Sequence, residues 1–289
     1  MDIAVVVLTR NEERHITRCL ESVRAIAKEI FIVDCFSDDK TAELAKAQGA
    51  QVFEHEWPGI HALQMNWALE HLPITAKWVL RLDADEYLEP ALVEEIKAKL
   101  DTLPDEVTGV RLLLGRCFMG RKILHGGTNK IRLLRLFRTG VARCEQKLMD
   151  EHIDLARGTV IDFTHRFWDD NRNDLSWWTA KHDGYAFREA VDLLLAKDGL
   201  GKKRFYRRLP LFWRAFAYFL YRYFLRLGFL DGAEGFLWHF LQGWWYRTLV
   251  DAKVLELQRA IAPRLAEGAT PREALREVLA QRGMQLPDE

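Results

Sequence analysis

The sequence predicts an α/β domain with a largely parallel sheet flanked by helices, followed by a helical region rich in aromatic residues. Over the first hundred residues, short apolar runs alternate with segments of helical periodicity, which indicates strands covered on both faces. Polar residues follow three of these runs, at the carboxyl ends of strands where such sheets bind ligands. The predicted strands of this part are Ile3–Leu8, Ile30–Val33, Gln51–Phe53 and Trp78–Leu82.

The helices between these strands follow from apolar residues three and four positions apart. In the first helix, Ile16, Leu20 and Val23 share one face. The second ends at Gly49, which suits a helix C-cap, and the third stops before Pro73. The three helices are predicted at residues 12–27, 41–48 and 59–71.

Beyond residue 107 the strand signal becomes irregular, and after His165 the chain becomes helical and aromatic. This change of character predicts one domain at residues 1–168 and a helical C-terminal region at residues 169–289. The candidate strands of the irregular part are Val110–Leu114, Arg132–Phe137 and Thr159–Phe163.

The composition argues against several classes of protein. The 289 residues carry 42 Lys and Arg against 42 Asp and Glu. The chain has no surplus of basic residues, so its net charge does not point to a nucleic-acid partner. The four cysteines contain no C-x-x-C pair, which favours a reducing cytosol over a disulfide framework or a zinc ribbon. We expect no signal peptide, because the first apolar run is too short, and no transmembrane span, because no long uncharged apolar stretch occurs.

The strongest chemical signal is Asp83-Ala84-Asp85, which ends a predicted buried strand. If the chain stays extended there, both carboxylates face one side of the sheet and repel each other unless a cation lies between them. Carboxylate oxygens suit a hard divalent ion such as Mg²⁺ or Mn²⁺, itself bound to phosphate. The alternative is a solvated acidic loop that caps the next helix.

Asp34 follows the second predicted strand and can accept hydrogen bonds from a nucleobase or a ribose. The residues from Ser37 to Thr41 also suit capping of the next helix, and both roles are compatible. The chain has no glycine-rich dinucleotide fingerprint and no P-loop, which argues against those classes of nucleotide enzyme.

Three motifs occur in order over the first hundred residues: VVLTRNE from Val6, IVD from Ile32 with Ser37 and DDKT after it, and LRLDADE from Leu80. In this order and spacing they resemble the family 2 glycosyltransferases, whose GT-A fold is a Rossmann-type mixed sheet flanked by helices. The remainder resembles, more loosely, a subgroup that builds bacterial surface polysaccharide or lipopolysaccharide core. The sequence departs from many members at Cys35 and Phe36, where they carry small residues, so the shape of this loop is open.

The resemblance implies a donor site at the strand ends. Asp85 would hold the metal, and Asp83 would contact the ribose or the metal. The residues that would line the nucleotide pocket are Thr9, Asn11, Glu12 and Asp34.

The resemblance also implies an inverting transfer, which needs a general base near the acceptor hydroxyl. Glu151 matches the base of the family best and Asp150 second, although an acidic helix start accounts equally for both residues. His165 is a candidate third metal ligand or diphosphate contact, or else a structural histidine.

Three arginines of one predicted strand are candidates for neutralising a diphosphate. Strand alternation places Arg132 and Arg138 on one face and Arg135 on the other, so they cannot all serve.

The C-terminal region supplies the candidates for acceptor binding. Trp178, Lys181 and Tyr185 share one helical face and suit stacking on an acceptor sugar, although core packing accounts equally well for the tryptophan.

Residues 211–227 are predicted as one helix with a cationic stripe opposite a broad aromatic face. Such a helix can lie in a membrane interface with its arginines towards anionic headgroups, supported by the basic residues 202–208 just before it. Alternatively, the aromatic face packs on the catalytic domain or on another subunit of a homo-oligomer. The stripe consists of Arg214, Arg222 and Arg226.

The sequence therefore predicts a glycosyltransferase that uses Mn²⁺ or Mg²⁺ and moves a sugar from a UDP- or GDP-sugar to a glycan or lipid-linked acceptor. We expect it in the cytoplasm, peripheral at the inner face of the membrane. Two alternatives stay open. A sugar-nucleotide nucleotidyltransferase normally has a glycine-rich phosphate loop after its first strand, which is missing here. A non-catalytic membrane scaffold on the same fold is disfavoured by the intact acidic motifs.

Overall fold

A mixed sheet organises the N-terminal part of the chain in the computed structural model, which describes residues 1–128, 130–145, 152–195 and 209–281. The strands of this sheet are β1 Ile3–Thr9, β2 Glu29–Asp34, β3 Gln51–Glu54, β4 Trp78–Asp83, β5 Glu86–Leu88, β6 Val107–Phe118, β7 Arg121–Ile123, β8 Arg132–Arg138 and β11 Thr159–Asp169. Two short strands, β9 Ala142–Cys144 and β10 Ile153–Leu155, pair separately.

The strand order is β3-β2-β1-β4-β8-β6-β11-β5, with β7 paired to β6. The first four strands of this order are mutually parallel, β8 runs antiparallel between β4 and β6, and β11 is parallel to β6. The helices of this part are α1 Ile16–Val23, α2 Thr41–Ala47, α3 His61–His71 and α4 Pro90–Lys99.

Both faces of β1 are buried, which explains its continuous apolar sequence. Ile3, Val5 and Val7 belong to the core that also contains the apolar face of α1, whereas Ala4 and Val6 belong to the core beneath α3. The predicted α/β class, with helices covering both faces of the sheet, is therefore confirmed.

Most elements predicted in the first hundred residues are present, with shifted ends. The first helix begins at Ile16 instead of residue 12, because residues 12–15 form a turn whose Glu12 carbonyl accepts the N–H groups of His15 and Ile16. The strand β5, which the sequence did not predict, has only three residues and carries no pattern that separates it from a turn.

The chain divides into two compact units, residues 1–172 and 173–289, whereas the sequence placed the boundary after residue 168. Residues 170–172 belong to the N-terminal unit because side chains of α1 and of the turn before it form hydrogen bonds with them. Arg18 bonds the carboxylate and the carbonyl of Asp170, and the ring of His15 accepts the backbone N–H of Arg172.

The C-terminal unit is helical, as predicted. Its helices are α5 Leu175–Leu195, α6 Trp213–Leu220, α7 Gly232–Trp238, α8 Tyr246–Ala266 and α9 Pro271–Ala280, with π-helical turns at Tyr221–Leu225 and His239–Trp245 and a 3₁₀ turn at Gly228–Asp231. Its core lies between α5, α8 and α9, around residues such as Ala190, Val250 and Leu275. None of the helices in the described ranges is long and apolar enough to cross a bilayer.

The prediction of one helix over residues 211–227 with an outward arginine stripe is wrong. The regular helix α6 ends at Leu220, and the following π-helical turn ends at Leu225. Arg214 and Arg222 are buried. Asp251 of α8 compensates Arg214 by accepting hydrogen bonds from its Nε at 2.8 and 3.1 Å. A buried guanidinium requires such a partner.

The buried carboxylate of Glu95 in α4 binds the backbone of an irregular stretch of β11. The pairing of β11 with β6 shifts register between Asp162 and Arg166, which leaves backbone groups there without partners in the sheet. Glu95 accepts the N–H groups of Thr164 and His165, each at 3.0 Å to Oε2. Burial alone would raise the pKa of Glu95, but the hydrogen bonds from Lys99, His165 and Thr164 outweigh it and lower that pKa.

We predict that Glu95→Ala lowers the free energy of unfolding by about 2 kcal/mol at neutral pH, because two partly buried N–H groups lose their acceptor. The folded-state pKa of Glu95 is lowered, so this contribution is present above the unfolded carboxyl pKa of about 4.3 and is lost as pH falls through the folded pKa. Urea unfolding at several pH values measures both effects.

Glu94→Ala is the matched control, because the exposed Glu94 bonds only Lys97 among the described residues and its loss should change stability by less than about 0.5 kcal/mol. Equal stability of the two variants would contradict the role given to Glu95.

Candidate active site at the carboxyl edge of the sheet

The register of the three parallel strands brings the predicted polar residues to one edge. Thr9 at the end of β1 lies opposite Asp34 at the end of β2, and Leu8 lies opposite Asp83 at the end of β4. The expectation that these strand ends meet is therefore confirmed, and the site is built on the most buried part of the sheet.

Asp34 is buried, and its carboxylate organises the loop that follows β2. The hydroxyl of Thr9 donates to Oδ1 at 2.6 Å, and Ser37 donates its backbone N–H to Oδ2 and its hydroxyl to Oδ1, both at 2.7 Å. The structure thus brings Thr9 and Asp34 together as predicted. Their contact with a nucleotide stays a prediction.

The loops after β1 and β2 are joined by hydrogen bonds. Asn11 donates its N–H to the hydroxyl of Ser37 at 2.8 Å and accepts the N–H of Asp38 at 3.1 Å. Asn11 and Phe36 both adopt left-handed backbone, with φ of 56° and 53°. Side chains other than glycine adopt this conformation at a cost, and such strain concentrates at functional sites. The loop shape that the sequence left open is thus set by Phe36 in a conformation typical of glycine.

Glu12 is tied back to the protein. Its backbone N–H donates to the hydroxyl of Thr41 at 2.7 Å, and its carboxylate lies 2.5 Å from Nδ1 of His15. Nε2 of His15 accepts the N–H of Arg172 at 2.8 Å, so Nδ1 carries the proton and donates to Glu12. Glu12 therefore supports the wall of the site, alongside its predicted nucleotide contact.

Asp83 is held by positive charge. Arg135 donates to Oδ2 of Asp83 at 3.2 Å and to Oε1 of Glu86 at 2.6 Å, and Arg81 lies 3.7 Å from Oδ1 of Asp83. Burial would raise the pKa of Asp83, but Arg135 and Arg81 outweigh it and hold that pKa below its ordinary range. Burial, opposed in part by Arg135, raises the pKa of Glu86 to about 8.

Asp85 faces different partners, because the extended geometry ends at Asp83 and the chain turns at residues 84–85. Oδ2 of Asp85 accepts a hydrogen bond from the side-chain amide of Asn171 at 2.9 Å. The carbonyl of Asp85 accepts the N–H of Asp170 at 3.0 Å and bonds Arg18 at 3.2 Å. Among the described residues, none donates a hydrogen bond to the other carboxylate oxygen.

The carboxylates of Asp83 and Asp85 offer one available oxygen ligand for a hard cation, not a complete coordination shell. Asn171 orients Asp85, and one of its carboxylate oxygens accepts no hydrogen bond from the described residues, whereas Asp83 is already neutralised by two arginines. Within the described ranges, no cluster of three or more His, Cys, Asp or Glu side chains is suited to hold a metal. A cation here would take its remaining ligands from phosphate and water.

The contacts that several residues make at this site were not predicted from the sequence. Most of these residues lie on β8 and α1 or follow β11, so their distance along the chain from Asp83 and Asp85 hid the contacts. Glu86 directly follows Asp85, and only its contact with Arg135 was hidden. Only the strand alternation that set Arg135 apart from Arg132 and Arg138 gave a signal. These residues are Arg18, Glu86, Arg135, Asp170 and Asn171.

Some predicted residues are not brought to this edge. His165 lies five positions before Asp170, roughly 16 Å along an extended strand, and bonds Glu95 through its backbone. Arg132 pairs with Asp162, and Arg138 bonds carbonyls of residues 104 and 107. Asp150 and Glu151 lie outside the described residues.

The acceptor candidates lie in the C-terminal unit. Trp178 is buried and stacks on His182 with ring centroids 3.5 Å apart, so it serves packing. Lys181 is exposed and lies 4.5 Å from the ring centre of Trp177 and 5.7 Å from that of Tyr185. Of the three candidates, Lys181 is thus exposed, Tyr185 is partly buried against the core of the unit, and Trp178 is buried.

The motifs at the ends of β1, β2 and β4 lie within a stretch that matches a known family. Residues 4–148, half of the chain, match the family described as Glycosyl transferase family 2. The chain belongs to this family. The mixed sheet and its flanking helices are the GT-A-like arrangement that the sequence resemblance implied.

Relatives of this family 2 chain include bacterial glycosyltransferases. One from Rickettsia typhi, described as uncharacterized, is 39% identical over 33% of this chain and 32% of its own length. The lipopolysaccharide core biosynthesis glycosyltransferase LpsC of Rhizobium meliloti is 33% identical over 50% of this chain and 53% of its own. The chain thus spans about a third and about half of these two relatives.

Among solved structures, the crystal structure of S. aureus TarS is 17% identical, with a TM-score of 0.41 over 90% of this chain and 86% of that chain. A likeness of this degree carries no statement about activity.

We predict that Thr9→Val destabilises the N-terminal unit by about 2 kcal/mol, because the buried carboxylate of Asp34 loses a donor while the shape of the side chain is kept. Chemical denaturation measures the loss. Thr159→Val is the control, since Thr159 is exposed and should change stability by less than about 0.5 kcal/mol. A Thr9→Val variant as stable as this control would show that the Thr9–Asp34 bond does not organise the edge.

Proposed function

We propose that this family 2 chain is a metal-dependent, inverting glycosyltransferase that uses a UDP- or GDP-linked sugar. The observation that carries the proposal is the setting of Asp85. An amide fixes one of its carboxylate oxygens and the other lacks a hydrogen-bond partner among the described residues, next to strand ends organised by Asp34. Such a preorganised carboxylate suits a cation that binds a diphosphate.

The donor would lie on the joined loops after β1 and β2. The bonds from Thr9 to Asp34, from Asn11 to Ser37 and from Glu12 to Thr41 join these loops, so we expect little rearrangement when the nucleotide binds. Asp83 lies beside this pocket, and we assign it to the ribose or, less directly, to the metal.

Asp85, with Asp83 near it, would hold Mn²⁺ or Mg²⁺. The metal, when bound, supplies positive charge that neutralises the departing nucleoside diphosphate. Arg135 and Arg81 keep Asp83 ionised in this partly buried site. We leave His165 out of the proposed metal site, because its ring lies 3.7 Å from Glu89 and its backbone N–H bonds Glu95.

Glu151, or Asp150 as the alternative, would act as the general base. It removes the proton of the acceptor hydroxyl, whose oxygen bonds to the anomeric carbon from the face opposite the breaking bond to the diphosphate. The configuration at that carbon is thereby inverted. This assignment rests on the sequence motif.

The acceptor would be a glycan or lipid-linked sugar of the cell envelope. The named function of the relative LpsC, lipopolysaccharide core biosynthesis, supports this class of acceptor. The exposed Lys181 and the partly exposed Tyr185 are the candidates to contact it. A lipid-linked acceptor favours a cytoplasmic protein in peripheral contact with the inner face of an anionic membrane, and a homo-oligomer is compatible with the same role.

We predict that Asp85→Asn abolishes the stabilisation that Mn²⁺ adds to a UDP- or GDP-sugar complex and lowers metal-dependent turnover of the donor on the order of a hundredfold or more. A thermal-shift titration with and without Mn²⁺ measures the first effect, and release of the nucleotide measures the second. Asp162→Asn, which removes an exposed carboxylate that pairs with Arg111 and Arg132, is the control and should behave as wild type. Metal-dependent stabilisation that survives in Asp85→Asn would refute the metal site.

We predict that Glu151→Gln lowers turnover by roughly 10²- to 10⁴-fold and leaves donor binding unchanged, because only the proton transfer is lost. Asp150→Asn is the paired variant and Glu145→Gln the control. If Asp150→Asn alone lowers turnover, the base is Asp150. If neither variant does, the base lies elsewhere.

A further inference from the structure

The segment from residue 212 to residue 236 carries its apolar side chains on the outside. Half of the large apolar side chains that are exposed in the described part of the chain fall in this short segment. Leu225 is 76% exposed and Trp213 71%, whereas an ordinary monomer scatters such residues singly. The exposed members are Phe212, Trp213, Tyr221, Phe224, Leu225, Leu227, Phe229, Leu230 and Phe236.

The charged side chains of the same segment point inward. Arg214, Arg222 and Asp231 are buried, and Arg226 and Glu234 are partly buried, so none of the segment's charged residues is exposed. Arg214 is neutralised by Asp251 of α8. This distribution is the reverse of the one that water selects, in which charges lie outside and apolar groups inside.

The fold fixes the exposed positions firmly. The run from Trp213 to Leu225 packs antiparallel to the run from α7 into the second π-helical turn, through contacts such as Phe219 with Phe236 at 6.3 Å and Phe219 with Trp244 at 5.7 Å between ring centroids. Residues 224–230, which we name the apolar tip, connect the two runs.

The backbone beneath the apolar tip is closely packed. A side chain at Gly228 would approach the ring of His239 to 2.4 Å, and one at Gly235 would approach Cβ of Asp231 to 2.4 Å. Leu227 adopts left-handed backbone at φ 59°. Phe224, Leu225, Phe229 and Leu230 are thus held outward by a built turn.

The chemistry of this surface fits a lipid bilayer better than a protein partner. Specific protein interfaces surround an apolar centre with a rim of polar groups that bond the partner, and here no charged side chain of the segment is exposed. Aromatic residues and leucine at one end of a short hairpin match the interface and the outer acyl layer of a membrane.

Length and charge agree with insertion into one leaflet. The helical run from Trp213 to Leu225 rises about 20 Å, less than the hydrocarbon core of about 30 Å and enough to enter half of it. The basic residues Lys202, Lys203, Arg204, Arg207 and Arg208 precede the run in the sequence and complement anionic headgroups.

We propose that the apolar tip inserts into the acyl layer of one membrane leaflet, so that the chain is anchored by burial of apolar surface instead of by an arginine stripe lying on the headgroups. The inference deepens the membrane contact proposed above. It does not depend on the transferase chemistry.

The first test is flotation of the full-length protein with phosphatidylcholine vesicles and with vesicles that also contain phosphatidylglycerol, at low salt and at about 1 M salt, where surface charges are screened. Wild type should bind the neutral vesicles and keep binding both kinds in high salt. Leu225→Asp combined with Leu230→Asp should bind at least tenfold less, a loss of about 1.4 kcal/mol.

Leu265→Asp is the matched control, because Leu265 is an exposed leucine near the far end of α8, roughly 28 Å from its start. It should bind like wild type. Thermal stabilisation of each variant by the sugar nucleotide shows whether the variant is folded and whether its nucleotide site is intact. Membrane binding is measured independently, so a failed transferase assay does not decide it.

Quenching by brominated lipids gives a second measurement. Trp213 is strongly exposed, so bromine near the headgroup end of the acyl chains should quench the protein's fluorescence, and Trp213→Phe should remove part of that quenching.

Three results would overturn the proposal. Binding that requires anionic lipid and disappears in high salt would assign the contact to charge. Equal binding by the tip variant and by Leu265→Asp would place the contact elsewhere. A dimer that becomes monomeric in the tip variant, with unchanged vesicle binding, would assign the surface to a second copy of the chain.

Discussion

The burial of β1 on both faces is the constraint from which the rest of the N-terminal unit follows. Because Val5 and Val7 face one core and Ala4 and Val6 the other, a shift of one residue would exchange the two sets and spoil both cores. The register with β2 and β4 is therefore fixed, and with it the meeting of Thr9, Asp34 and Asp83 at one edge. The site is precise because it is attached to the best packed part of the sheet.

The two acidic residues after β4 have different roles because they have different neighbours. Arg135 and Arg81 compensate Asp83, and the same Arg135 binds the buried Glu86. Asp85, beyond the turn, is oriented by Asn171 and by the backbone of Asp170. A pair of carboxylates that looks equivalent in sequence is thus divided into one that two arginines neutralise and one that an amide orients.

In the C-terminal unit, charged side chains are also compensated by nearby opposite charges, but there they are buried while apolar side chains lie exposed. The Arg214–Asp251 pair is buried because each charge neutralises the other inside the unit. Some aromatic side chains of the same helical run, such as Phe219, pack against the neighbouring run, whereas Trp213, Tyr221 and Phe224 lie exposed. Helical periodicity separated the two sets correctly in the sequence, but periodicity alone does not say which set faces the protein.

The sequence by itself determined the α/β class, the strands and helices of the first hundred residues and the edge at which the site lies, because these depend on local periodicity and on the ends of buried strands. Only the tertiary structure decided that Arg18, Arg135 and Asn171 surround the acidic pair. It also decided that Arg214 and Arg222 are buried. These features depend on contacts between segments far apart in the chain, and no local pattern of residues records which segments will meet.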